Sequence, residues 1–162
     1  MFVILPEHIS SLICVKTIDI YKNNEDSRET HRDTKLIDSR AIGQDFFKKT
    51  LLQINNIAVS LYGKDTYIEM AQIVEWPNGS NQPPHCDLAR GGTKSTSITY
   101  LNDDFEGGET YFTQQDLIIK PKRGKTVFFD GKKFEHGVQK ITKGIRYTLA
   151  VWYSKNIYDC VI

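Results

Sequence analysis

Cysteine is scarce in this chain, and no long apolar run occurs in it. Of 162 residues only Cys14, Cys86 and Cys160 are cysteines, an odd and scattered set without CxxC spacing. That pattern argues against a disulfide framework and against a structural zinc site. No apolar stretch approaches the roughly 20 residues that cross a bilayer. The opening Met1-Phe2-Val3-Ile4-Leu5-Pro6 lacks the basic flank and the length of a signal segment. A cytoplasmic, reduced setting without a membrane partner is therefore expected. Charge of one sign is missing too: 21 Lys and Arg face 20 Asp and Glu, a net of +1. Nothing general attracts nucleic acid. Nine basic residues do gather between Lys120 and Arg146, against Asp130 and Glu135; solvated strand edges and turns are the expected reading. A hydrophobic content of 40% and a charged content of 25% are ordinary globular values. The length suits one domain, 1–162.

What is present divides near Gly63. Residues 1–63 read as helix and strand support: a helical segment over 6–13, a strand over 15–21, and a polar run over 22–35 expected to be a mobile loop. Periodicity predicts a helix over 42–61, because Phe46, Phe47, Leu51, Ile54, Ile57, Ala58 and Leu61 recur at three- and four-residue steps. Gly63 suits its stop. From 64 to 155 the texture changes to short β-rich runs, at 67–76, 95–101, 109–112, 117–119, 126–129 and 146–153, separated by glycine-bearing turns. Such spacing predicts a sandwich or jelly roll, with the helix packed on the back of a sheet.

The chemistry centres on His85-Cys86-Asp87 and on His136. In an extended strand residues two apart share a face, so His85 and Asp87 aim together while Cys86 turns away. His136 from another strand would complete two imidazoles and one carboxylate on one side of a metal. That facial triad holds non-haem Fe(II) and leaves coordination positions open. His-x-Asp alone is a weak signal. Ten residues after His136, alternation in 146–152 puts Arg146, Thr148, Ala150 and Trp152 on one face. An inward Arg146 would be a costly buried charge unless paired, and a dicarboxylate would pair it bidentately; an outward Arg146 would simply be solvated. Tyr100 shares a face with Ile98 and reads either as core or as a hydroxyl needing a partner. His8 and His31 have no partner at ligand spacing and are read as surface residues.

Trp76-Pro77-Asn78-Gly79, His85-Cys86-Asp87, Thr99-Tyr100-Leu101-Asn102, Gly107-Gly108-Glu109-Thr110, His136-Gly137-Val138 and Arg146-Tyr147 running to Val151-Trp152-Tyr153 together carry a resemblance. In order and spacing, over roughly 67–153, they resemble the prolyl 4-hydroxylase-like Fe(II)/2-oxoglutarate dioxygenases. The resemblance implies a mainly β double-stranded β-helix (a cupin-like jelly roll) against an N-terminal helical layer. It implies His85, Asp87 and His136 as iron ligands and Arg146 as partner of the distal carboxylate of 2-oxoglutarate. Tyr100 would bond that same end, Val138 and Trp152 would wall the cosubstrate pocket, and Thr148 would add a hydroxyl. Fe(II), 2-oxoglutarate and O2 follow as cofactor and cosubstrates, with ascorbate as a candidate reductant. Two positions depart from or subdivide the pattern. Trp76 stands where relatives often carry a Tyr that reaches the cosubstrate, and indole N–H donates without accepting. Arg146 replaces the Lys of collagen-type enzymes and matches the oxygen-sensing type.

The implied reaction is hydroxylation of a peptidyl proline at C4, coupled to decarboxylation of 2-oxoglutarate to succinate and CO2. Free amino acids and other small molecules are the alternative substrates. Nucleic-acid dealkylation is disfavoured, because the second Arg that such enzymes carry six residues after the first is Trp152 here. A zinc hydrolase would use the triad but leave Arg146 and Tyr100 unemployed, and a metal-free jelly-roll binding module would not need an intact triad. The run 22–35 is the first place to look for substrate contacts, with Arg90 and the Gly91-Gly92 pair as further candidates. Oligomeric state is open.

Overall fold

The computed structural model describes residues 1–87 and 93–161; Arg90 and Gly91-Gly92 lie outside the described residues. In chain order the elements are β1 (Phe2–Leu5), α1 (Ser11–Lys22), β2 (Glu29–His31), β3 (Thr34–Asp38), α2 (Asp45–Tyr62), β4 (Tyr67–Trp76), β5 (Gln82–His85) and β6 (Thr93–Tyr100). There follow β7 (Glu106–Gly107), β8 (Thr110–Phe112), β9 (Leu117–Ile119), β10 (Thr126–Phe129), β11 (His136–Val138), β12 (Ile141–Lys143) and β13 (Arg146–Ser154).

A seven-stranded antiparallel sheet runs β1-β10-β6-β13-β4-β3-β2, and a four-stranded one runs β5-β11-β8-β9. Strands β12 and β7 form a short separate pair. Phe112, Ile119, Tyr100, Val127 and Phe129 pack between the two main sheets as one buried cluster, with Phe112 edge-on to Phe129 at 5.0 Å. This is the double-stranded β-helix expected.

Strand β13 sits mid-sheet and shows why the alternation matters. Tyr147, Leu149, Val151 and Tyr153 enter the core beneath the helices, whereas Arg146, Thr148, Ala150 and Trp152 line a cavity on the opposite face. Helix α2 buries Phe47, Leu51, Ile54 and Ala58 in that helix-side core, with Phe46, Ile57 and Leu61 packed at its margin. It ends at Gly63, whose φ is 102° and whose N–H donates to the Val59 carbonyl.

The N-terminal third departs from expectation. One helix, α1, replaces the expected short helix and strand; Ser10 caps it by accepting from the Ile13 N–H. Its buried residues are Cys14, Thr17, Ile20 and Tyr21, at helical spacing, but Cys and Thr do not register as an apolar stripe. Val15, Ile18 and Ile20 imitate a β-branched strand instead. The polar run is ordered rather than loose. Its Arg28 closes the end of α1, donating to the carbonyls of Tyr21 and Lys22 over the Tyr21 ring. Strands β2 and β3 then form a hairpin that β3 pairs onto β4, Leu36 opposite Val74 and Ile37 opposite Ile73. Only those two apolar residues betray the strand. Strand β5 was hidden by Pro83 and Pro84, which a sheet tolerates at its edge, where β5 lies. His8 is half-buried, not a free surface residue: its ring lies 6.5 Å from Phe128, its Nε2 has no partner among the described residues, and burial lowers its pKa.

Candidate metal centre and adjoining cavity

Two neighbouring strands of the minor sheet bring the ligand set together. His85 ends β5 and His136 begins β11, and the two are register partners. Asp87 follows two residues on, its N–H donating to the Gly131 carbonyl at 2.8 Å. One donor atom from each of His85, Asp87 and His136 lies within 4.8 Å of the others. Both imidazole Nε2 atoms stand 3.8 Å from Asp87 Oδ1.

The surroundings select which atoms face inward. His85 Nδ1 lies 3.1 Å from the Pro83 carbonyl, and His136 Nδ1 3.0 Å from that of Phe134. A carbonyl can only accept, so each ring carries a proton on Nδ1, and the neutral form of either ring presents its Nε2 lone pair. Asp87 Oδ2 accepts from the Thr96 hydroxyl at 2.5 Å, which leaves Oδ1 as the free ligand oxygen. Burial keeps the His136 pKa below its ordinary value against the pull of Asp87, favouring the neutral ring a metal needs. Phe112 and Phe129 pack against its ring. Gly131 is a participant that sequence reading took for a mere turn: a Cβ there would fall on Asp87 Oδ2 and Thr96 Oγ1. Thr96 was also missed, since an alternating strand offers no sign of which hydroxyl meets a carboxylate.

The cavity beside the triad has a volume of about 500 Å³. Arg146 is 1% exposed at its far wall, inward as the paired-charge reading required. Its guanidinium lies over the rings of Trp76, at 4.9 Å, and Tyr100, at 5.3 Å, within cation–π range of both. Nη2 donates to the Thr110 hydroxyl at 3.2 Å, while Nε and Nη1 have no hydrogen-bond partner among the described residues. Burial lowers the Arg146 pKa, with Tyr100 and Glu109 opposing; burial likewise raises that of Tyr100. Arginine nonetheless keeps its proton. A buried cation with two idle donors is expensive, and a carboxylate has the shape to answer them.

Neighbouring hydroxyls sharpen the picture. Tyr100 Oη donates to Thr110 Oγ1 at 2.7 Å, so the Tyr100 proton is already committed. Thr110 accepts from both Tyr100 and Arg146 and retains its own proton to offer. Trp76 Nε1–H donates to Thr148 Oγ1 at 3.2 Å, which likewise leaves the Thr148 proton free. Thus Trp76 holds Thr148 and lies over the Arg146 guanidinium. Val138, Thr148 and Trp152 line the same cavity. So do His31 and Arg32 at the β2–β3 turn, an exposed pair that the sequence flagged only as part of a polar run.

A family model described as the 2OG-Fe(II) oxygenase superfamily matches residues 71–154, a span that holds the triad, Arg146 and the cavity-facing residues of β4, β6, β11 and β13. The chain belongs to this superfamily, and so to the class of 2-oxoglutarate-dependent dioxygenases. Prolyl 3-hydroxylase 2 of Homo sapiens is 43% identical over 65 residues, covering 36% of this chain and 9% of that protein; this chain thus corresponds to a small part of that relative's length. Among solved structures, a Pseudomonas putida prolyl-4-hydroxylase superposes with a TM-score of 0.78 at 15% identity, over 96% of this chain and 92% of that one. A Trichoplax adhaerens prolyl hydroxylase in complex with a hypoxia inducible factor peptide fragment gives 0.78 at 17%, over 95% and 83%. At such identities the likeness is one of fold. No described helix is long and apolar enough to cross a membrane.

Proposed function

We propose that this chain is one catalytic domain that hydroxylates a peptidyl proline, at C4, using Fe(II), 2-oxoglutarate and O2. The observation that carries the reading is a single cavity with a preoriented His-Asp-His set at one end and a buried, under-bonded arginine at the other. The donor set fits iron: two imidazole nitrogens and one carboxylate oxygen, each with its second atom engaged elsewhere. The Arg146 end fits the distal carboxylate of 2-oxoglutarate, with Nε and Nη1 as idle donors and the free protons of Thr110 and Thr148 beside them; Tyr100 acts through Thr110. When bound, iron and cosubstrate supply O2 activation, coupling decarboxylation of 2-oxoglutarate to succinate and CO2 with hydroxylation of the substrate. The chain's own part is to hold both, to exclude water and to orient the substrate carbon.

Trp152 is assigned to the substrate side of the cavity. It stands six residues from Arg146 along β13, about 20 Å by strand rise, and opposite Thr96, the residue bonded to Asp87. Its half-exposed ring offers a flat apolar face to a pyrrolidine, and the His31-Arg32 turn borders the same mouth. Ascorbate would serve as reductant between turnovers. The described residues hold no disulfide, which suits a reducing, cytoplasmic setting.

A second reading concerns position. The segment 43% identical to a prolyl 3-hydroxylase makes C3 the alternative carbon, with small molecules as alternative substrates. The test is succinate release in air with and without proline-rich peptides, followed by identification of the hydroxyproline isomer, with His136→Ala as control. Peptide-stimulated succinate with 4-hydroxyproline supports the proposal and 3-hydroxyproline the second reading. Succinate release that no peptide stimulates would contradict both.

A further inference from the structure

We propose a second subsite on the outer face of the minor sheet, which takes a proline-rich stretch of the polypeptide flanking the reacting residue. It rests on the peptide-substrate reading above. The groove, of about 420 Å³, is lined by Asn81, Gln82, Pro83, Pro84, Tyr111, Val138, Gln139 and Lys140. Gln82 and Val138 also line the metal-side cavity, so the two concavities meet across β5, the edge strand of that sheet.

The groove is built rather than incidental. Tyr111 lies opposite Gly137 in the pairing of β8 with β11. A Cβ at Gly137 would collide with the Tyr111 ring, so the glycine next to His136 gives that ring its seat. Its hydroxyl leans on the Gln82 carbonyl at 3.5 Å, and its half-exposed face borders Pro83 and Pro84, both exposed. Those prolines carry no N–H, so edge pairing by an added strand is blocked along half of β5. What remains is an aromatic ring beside pyrrolidine ridges, with the amides of Asn81, Gln82 and Gln139 around it. These are the elements that read a polyproline II chain: apolar ring faces for its prolines and donors for its solvated carbonyls. Passing around a sheet edge is a step on the order of 10 Å, about three residues at ~3.1 Å each.

The experiment compares proline-rich peptides of about four and about twelve residues in steady-state hydroxylation. The long peptide is expected to have a KM about tenfold lower, equivalent to ~1.4 kcal/mol. Tyr111→Ala, and independently Gln139→Ala with Lys140→Ala at the exposed rim, should raise the long-peptide KM to the short-peptide value, with kcat and the short-peptide KM unchanged. Equal KM values for both peptides in the parent protein would overturn the subsite while leaving the hydroxylase standing, as would a Tyr111→Ala change that affects both peptides alike. A dimer broken by Tyr111→Ala with peptide KM unmoved would give the groove to a second copy and overturn it too. Turnover with no peptide at all would defeat the peptide reading itself, and the subsite with it.

Discussion

The two ends of the cavity are finished to different degrees. At the triad end every ligand has its outward atom occupied, by the carbonyls of Pro83 and Phe134 and by the Thr96 hydroxyl. Only the inward atoms are idle. At the Arg146 end the residue itself is incomplete, a buried cation with two guanidinium nitrogens unpartnered among the described residues. The triad is oriented by its neighbours' carbonyls and hydroxyl; the arginine is oriented by Trp76 and Tyr100 and has no carboxylate in ion-pair contact among the described residues. A fold keeps such a charge when a ligand completes it.

The comparison can be broken from either side. The largest effect should follow loss of a ligand: His136→Ala should weaken iron binding by more than the ~10–100-fold typical of outer-shell losses and abolish succinate release, as read by metal titration and turnover. Next comes Arg146→Met. Removing a charge from a desolvated pair typically costs ~3–5 kcal/mol, so 2-oxoglutarate affinity should fall by about two to four orders of magnitude. The ligand-free protein should meanwhile unfold at the same or higher denaturant concentration, because a buried unpaired charge has been replaced by an apolar side chain. Loss of stability without loss of affinity would contradict the account.

Thr96→Val tests the outward atoms. It keeps the shape and removes the hydroxyl on Asp87 Oδ2, so iron affinity should fall by ~10–100-fold while 2-oxoglutarate affinity in the metal-loaded protein changes little. The smallest effect belongs to Trp76→Phe, which retains a ring against Arg146 but loses the bond to Thr148. A net hydrogen bond of ~0.5–1.5 kcal/mol predicts a severalfold rise in the KM for 2-oxoglutarate with kcat intact. A Trp76→Phe protein as disabled as Arg146→Met would mean that the indole N–H itself meets the cosubstrate.

What could be read from sequence follows the same division. Alternation along 146–152 put Arg146, Thr148 and Trp152 on the cavity face, and the stripe of α2 announced its packing, because large apolar or charged side chains make a period visible. Helix α1 and the β2–β3 hairpin were misread for want of that contrast: Cys14 and Thr17 are buried without being strongly apolar, and Arg28 does its ordering through backbone carbonyls seven and six residues back. Residues one step behind the site were equally silent. Gly131 looked like any turn glycine, and Thr110 like the tail of a glycine motif, until Asp87 and Arg146 were seen against them. Identity of a ligand is legible in its residue type, whereas identity of its support is legible only in contact.

The most direct measurement is anaerobic calorimetric titration of 2-oxoglutarate into the Fe(II)-loaded protein, beside Arg146→Met and beside the metal-free parent. The account predicts tight one-to-one binding to the loaded parent, weakened by about two to four orders of magnitude in Arg146→Met and reduced when the metal is withheld. Equal affinity in parent and Arg146→Met would contradict it, because the buried arginine would then have no part in holding the cosubstrate.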